Sequence, residues 1–267
     1  MSDGRKLNRV SISVLLLAAL VSGIPSLIYP FGKDQGIYAW IGHLVLNGAV
    51  PYRDAWEPKP PFIFYTYALA EWVFGYSMLS IRWLDLIWQT TAMFFIYGIA
   101  RRLSGRELPG VIAGITYVAA YWSQGFWHTA QSDGFTNLFI AAAVWIFLKM
   151  LHERASPVSS VVAGVLVGFA FYFKYPVALI IPFLAIVMLC GGVRRTTSAL
   201  IFTVAGFAAV VVGYLVYLYA NAGLDEFFYI QFVHVPRYLK LMSSSLPESH
   251  GPLAFLRIND LFGSYFI

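Results

Sequence analysis

Charge is what this sequence has least of. Only 12% of its 267 residues are Asp, Glu, Lys or Arg while 59% are hydrophobic, far from the roughly one quarter charged of soluble domains. The apolar residues fall in runs of roughly 20, the length that spans a bilayer, so a soluble core is excluded as the organising principle. One cysteine, Cys190, lies inside an apolar run; no intramolecular disulfide can form, and the redox compartment stays unread. His43, His128, His234 and His250 form no ligand pattern, there is no HExxH, and neither a P-loop nor GxGxxG is present. A nucleotide site and a His/Cys metal site therefore have no motif behind them. Internal repeats, low-complexity tracts and a separate soluble domain are also missing.

What is there is an all-α, polytopic pattern with about seven membrane spans. The first run, Val10 to Pro30, reads as an uncleaved helix rather than a signal peptide, because no small-residue cleavage site stands out and further spans follow. The others run from Leu79 to Ala100, Leu108 to Phe126, Gly134 to Phe147, Val158 to Phe173, Tyr175 to Cys190 and Leu200 to Ala220. Phe62 to Gly75 is apolar but short and carries Glu71, and reads as an interfacial helix. With the N-terminus cytoplasmic, each inside turn is basic: Arg5, Lys6 and Arg9; Arg101, Arg102 and Arg106; Lys149 and Arg154; Arg194 and Arg195. His152, Glu153 and Arg154 read as a solvated inside turn. The loop over 31–76 then lies outside, as does a second loop over 221–252, where aromatic and basic residues interleave. The residues after Pro252 begin a new apolar pattern and stop inside it, so the 1–267 unit reads as C-terminally incomplete.

The remaining cations, Lys33, Arg53, Lys59, Arg82, Lys174, Arg237, Lys240 and Arg257, all fall on the outer side, where orientation does not require them. No ionisable residue falls at the middle of a span, and intramembrane charges are what usually mark a transport path; the chemistry is expected at the outer face. Asp34 follows the first span at once, ahead of a candidate amphipathic helix from Gly36 to Asn47 with Ile37, Ile41, Leu44 and Val45 on its apolar stripe. It reads either as that helix's cap or as a general base. Lys59 is fixed between Pro58 and Pro60 in DAWEPKPP, placed for headgroup snorkelling or for holding a phosphate. Lys174 sits where a tight turn would favour Gly, Asn or Ser, which also points to a phosphate. Asp133 opens a span as a cap or a functional acid, Arg82 and Asp85 are spaced to pair on one helical face, and a divalent cation between Asp34 and Asp133 has only weak support.

The order of these features resembles the N-terminal half of the GT-C membrane glycosyltransferases of the protein-mannosyltransferase and aminoarabinose-transferase type (glycosyltransferase family 39-like). The resemblance is carried by DQGIYAWIGHLVLNGAVPYRDAWEPKPPFIFYTYALAEWVFG after the first span, Arg82 opening a span that ends IARRLSG, then QSDGFTNLF and FYFKYP. It implies a polyprenyl-phosphate sugar donor, an acceptor hydroxyl on a lipid, protein or glycan, membrane lipids as surroundings and no nucleic acid. By the same resemblance Asp34 matches the base, Lys59 and Lys174 match cations near the donor phosphate, and Asp133 matches the acid of the next outer loop. Arg82 and Arg237 join them as further candidate phosphate-binding groups. Trp40, Trp56 and Tyr65 are candidates to stack on sugar or line the prenyl entrance. Many relatives carry Asp-Glu where this chain has Asp34-Gln35. Two other readings compete: a catalytically silent protein that binds a carrier lipid, and a lipid or solute transporter.

Overall fold

The computed structural model describes residues 8–152, 156–190 and 196–244, and the regular elements among them are all helices. Arg5, Lys6, Glu153, Arg154, Arg194, Arg195, His250 and Arg257, and the 245–252 part of the second loop, lie outside the described residues. In chain order the α-helices are α1 (Arg9–Gly23), α2 (Lys33–Leu46), α3 (Phe62–Phe74), α4 (Met78–Ser104), α5 (Glu107–Trp122), the short α6 (Gly125–His128), α7 (Ser132–His152), α8 (Pro157–Phe171), α9 (Ile180–Cys190), α10 (Thr196–Ala220), α11 (Leu224–Phe228) and α12 (Val235–Ser244). Three stretches among the described residues are long and apolar enough to cross a membrane: Arg9–Ile28, Ser132–Leu151 and Thr197–Ala220. The first adds to α1 a 3₁₀ segment, Ile24–Ile28, with Pro25 as its second residue. The chain is thus an all-α polytopic membrane protein, with α4, α5, α8 and α9 packed among those helices.

Several boundaries differ from the hydropathy pattern for local reasons. The run expected to reach Phe126 stops at Trp122, and α6 begins at Gly125 with φ +72, which a glycine adopts freely. The span expected to begin at Tyr175 starts as a 3₁₀ turn, Tyr175–Leu179, because Pro176 cannot donate to a preceding turn. The helix expected over Gly36 to Asn47 begins earlier, at Lys33, and its N-cap is Gly32 rather than Asp34. Asp34 lies in the first turn, where a carboxylate meets the positive end of the helix dipole.

Two glycine contacts decide how the helices meet. Gly164 and Gly168 lie four apart on α8 and face α10; a Cβ on Gly164 would sit 1.9 Å from the Thr203 carbonyl oxygen, and one on Gly206 of α10 would sit 2.2 Å from the Val161 oxygen. Only glycine allows backbones so close, the small-residue packing expected where lipid gives no hydrophobic drive between helices. Gly42 likewise brings α2 onto α3, since its Cβ would meet Ala68 N at 2.8 Å. Around that crossing Tyr38, Ile41, Ile63, Phe64, Tyr67, Ile81, Phe135 and Phe173 form one buried cluster joining α2, α3, α4, α7 and the end of α8.

The helix ends sort into two groups. At one, Glu107 accepts from Arg101 Nε at 2.7 Å, Tyr97 Oη at 2.6 Å and Ser11 Oγ at 3.4 Å, tying the start of α1 to the α4–α5 turn. At the other lie the starts of α2, α4 and α7, the end of α8, and both loops. The second loop docks on the first: Arg53 Nη1 donates to Asn221 O at 2.7 Å, Gln231 Nε2 donates to Pro58 O at 3.1 Å, and Trp56 meets His234 edge-on at 4.4 Å between ring centroids.

Candidate functional site

The 50–61 loop owes its shape to one strained residue. Tyr52 has φ +74, a left-handed conformation that costs a non-glycine residue about 1–3 kcal/mol. It is held because the ring is buried against Phe227 and Phe64 and the hydroxyl donates to Lys59 O at 2.8 Å. Next to it the Asp54 carboxylate takes Arg53 Nη2 at 2.6 Å and the Val50 N–H at 2.7 Å. Those bonds, the Arg53 guanidinium first, hold the Asp54 pKa down at about 2. The loop is anchored at its far end by Phe62 N–H donating to Tyr172 O at 3.1 Å. Lys59 therefore extends, exposed, from a backbone fixed on both sides.

Three acids converge on this loop. Asp34 from α2, Glu57 from the loop and Asp133 from the first turn of α7 all bear electrostatically on the Tyr38 hydroxyl; together with burial, the largest cause, they push its pKa far above the ordinary value. Glu57 is itself raised, first by burial and then by Asp34, against the lowering pull of the Lys59 N–H and of the Lys59 and Lys33 charges. Lys174 pairs with Asp133. Sequence reasoning singled out Asp34, Lys59, Asp133 and Lys174, and the fold brings them to one end of the bundle; it missed Glu57 and Lys33 as members of the group. The Lys174–Asp133 pair is half-exposed or more on both sides (52% and 68%), and such pairs contribute about 0–1 kcal/mol. A phosphate anion arriving at this end would compete with Asp133 for Lys174.

Other expected members sit elsewhere. Arg82 is fully buried, so it has no surface to offer a phosphate; it donates to Pro30 O at 2.7 Å, Thr129 Oγ1 at 3.1 Å and Gln35 Oε1 at 3.3 Å. The pairing expected with Asp85 is not formed. Asp85, also fully buried, accepts from Tyr121 Oη at 2.9 Å, Gln89 Nε2 at 2.9 Å and Ala130 N at 3.1 Å. This hub holds Ala130 at φ +56, with its carbonyl taking the Tyr67 hydroxyl at 3.0 Å, and so fixes the turn that leads into Asp133. Apart from Gln89, one turn along α4, its partners lie tens of residues away in sequence, which left no local signal. Arg237 is exposed on α12, and no described contact ties it to the acids. Trp40, Trp56 and Tyr65 do not gather: Trp40 lines a separate cavity of about 360 Å³ with Tyr67, Glu71 and Tyr76, Trp56 packs on His234, and Tyr65 packs on Tyr214. Among the described residues no three His, Cys, Asp or Glu side chains form a group able to hold a metal ion.

Acids and lysines gathered at one end of a membrane helix bundle can serve more than one chemistry, and comparison with known proteins narrows the choice. The family model described as dolichyl-phosphate-mannose-protein mannosyltransferase matches residues 58–219. The chain belongs to this family. The match takes in Lys59, Arg82, Asp133 and Lys174, and Asp34 lies ahead of it. Among relatives, a polyprenol-phosphate-mannose–protein mannosyltransferase of Corynebacterium glutamicum is 38% identical over 98 residues, covering 36% of this chain and 19% of the relative. An undecaprenyl phosphate-alpha-4-amino-4-deoxy-L-arabinose arabinosyl transferase of Edwardsiella ictaluri is 24% identical over 147 residues, or 54% of this chain and 27% of the relative. A polyprenol-phosphate-mannose–protein mannosyltransferase of Mycolicibacterium smegmatis is 36% identical over 76 residues, covering 28% of this chain and 15% of its own. The chain thus spans about a quarter or less of the length of these relatives. No solved structure matches it.

Proposed function

We propose that this chain forms the catalytic end of a membrane glycosyltransferase that moves a sugar from a polyprenyl-phosphate carrier to an acceptor hydroxyl on a lipid, protein or glycan. The observation that carries the reading is the meeting of Asp34, Glu57 and Asp133 with Lys33, Lys59 and Lys174 at one end of the bundle. The basic turn residues Arg101, Arg102 and Lys149 belong to the other end, which supports a cytoplasmic N-terminus and a site on the outer face of the cell membrane.

In this reading Asp34 takes the proton of the acceptor hydroxyl as its oxygen attacks the anomeric carbon. The bond from that carbon to the phosphate oxygen breaks, the polyprenyl phosphate leaves with the electron pair, and the configuration inverts. Lys59 and Lys174 stabilise the charge that grows on the leaving phosphate; cations already fixed in place do this without reorganising at the moment of reaction. Asp133 holds Lys174 until the donor arrives. Arg82 acts as a buried strut and makes no contact with substrate. Arg237, on the amphipathic α12, contacts anionic headgroups or the carrier phosphate as it enters. The test is transfer of labelled sugar by the complete natural protein in membranes. Lys59→Ala and Lys174→Ala should each slow transfer at least tenfold, and unchanged rates in both would sink the phosphate assignment.

A further inference from the structure

Gln35 is fully buried although its neighbour Asp34 is not. Its amide is saturated. The oxygen accepts from Gly32 N–H at 2.6 Å and Arg82 Nη2 at 3.3 Å, and the nitrogen donates to Phe126 O at 2.7 Å and Thr129 O at 2.6 Å. These four bonds join three segments distant in sequence: the first turn of α2, the second turn of α4, and the turn between α5 and α7. Asp34, by contrast, has no described hydrogen bond on its carboxylate. Where that carboxylate points is therefore set by the backbone of α2, and the start of α2 is held by Gln35. The same 126–130 turn continues into α7 and Asp133 through Ala130, whose N–H is held by Asp85 and Tyr121.

We propose that Gln35 is a positioning residue, which locks Asp34 to the Asp133–Lys174 side of the site by clamping the start of α2 to the 126–129 turn. Only a primary amide supplies two donors at one corner and an acceptor for two donors at the other. A carboxylate of the same shape would keep the contacts with Gly32 and Arg82 but turn an oxygen toward the carbonyls of Phe126 and Thr129. A leucine would leave those two carbonyls, the Gly32 N–H and one Arg82 N–H without their partner. Of the charged groups, Arg82 of α4 has a described contact with Gln35, and its guanidinium is already committed to Pro30 O and Thr129 Oγ1, so it does not replace the lost donors toward both carbonyls.

The inference rests on Asp34 being the base, and the experiment separates the two. The complete natural protein in nanodiscs is compared with Gln35→Glu and Gln35→Leu for donor KM, kcat and amide hydrogen exchange. A misplacement of about 1 Å at a reacting group costs roughly 100-fold in rate, so both variants should lose ten- to hundredfold in kcat. Donor KM should stay within about threefold, since Lys59 and Lys174 are not on α2. Exchange should speed up over residues 33–38 and not in α8 or α10. If the variants keep the parent kcat, or if exchange rises equally throughout, the positioning role is overturned while the transferase reading stands. Parent protein that transfers no sugar from any polyprenyl-phosphate donor overturns the transferase reading and this inference with it.

Discussion

Replacing Gly164 by alanine should damage the protein far more than one methyl group ordinarily does. The added Cβ would lie 1.9 Å from the Thr203 oxygen, 2.8 Å from its carbonyl carbon and 2.9 Å from Phe207 N, all of it backbone that no side-chain rotation can clear. Contacts below 3.0 Å do not occur at real Cβ atoms, so α8 and α10 would have to separate by about 1 Å. Overpacking typically costs about 1–3 kcal/mol, and a rigid backbone neighbour places this site at the upper end. The control is Gly213→Ala on the facing helix α10, where a Cβ meets nothing within 4 Å. Removing a helical glycine there should be neutral or stabilise by up to about 1 kcal/mol. Reversible unfolding in mixed detergent micelles would measure both. A loss near 3 kcal/mol for Gly164→Ala and none for Gly213→Ala is expected; equal stability of the two variants would refute the close crossing. The crossing also bears on the site, because α8 ends just before Lys174 and provides the Tyr172 carbonyl that anchors the loop.

Glu57, raised by burial, contributes stability that is present below its ordinary value of 4.5 and is lost as pH rises through its higher folded value. Glu57→Gln should therefore melt higher than the parent at pH 7 and equal to it at pH 4, and the reverse order would show that the ionised form is favoured. Asp54 has the opposite sign: its contribution is present above the ordinary 3.8 and disappears as pH falls through about 2. Hydrogen exchange at the Val50 amide should accelerate in the parent only below about pH 3 but at every pH in Asp54→Asn; a slow amide in the variant would remove Asp54 from the clasp. Tyr52→Phe deletes one hydrogen bond to Lys59 O and should cost about 1 kcal/mol. Tyr52→Gly relieves the strain but loses the buried ring and should cost more; a more stable glycine variant would mean that the ring contacts contribute little.

Legibility followed the range of the interaction. The helices that dominate the bundle were readable from apolar runs, since α4 at Met78–Ser104 and α10 at Thr196–Ala220 lie over the runs expected at Leu79 to Ala100 and Leu200 to Ala220. Asp34, Asp133, Lys59 and Lys174 were readable as polar groups at helix ends or in proline-fixed backbone. What escaped was everything paired at long range. Gln35 and Arg82 look like surface residues until their partners arrive from positions 30 and 126–129. The spacing of Arg82 and Asp85 promised a local pair, yet Arg82 binds Pro30, Thr129 and Gln35 and Asp85 binds Gln89, Tyr121 and Ala130. The apolar stripe expected on α2 is packed in part, with Ile41 buried and Ile37 and Val45 against the same cluster, but the buried face also takes in Gln35, Tyr38 and Gly42, because hydrogen bonding and a close glycine crossing decide that face as much as hydropathy does.

The most direct test of the transferase reading is the rate at which labelled sugar leaves polyprenyl-phosphate donors in membranes holding the complete natural chain, parent against Asp34→Asn at matched expression. Loss of transfer by about a hundredfold or more, the range a positioned general base supplies, with donor binding retained, is the expected result. Equal transfer by parent and variant would contradict it and remove Asp34 from the mechanism.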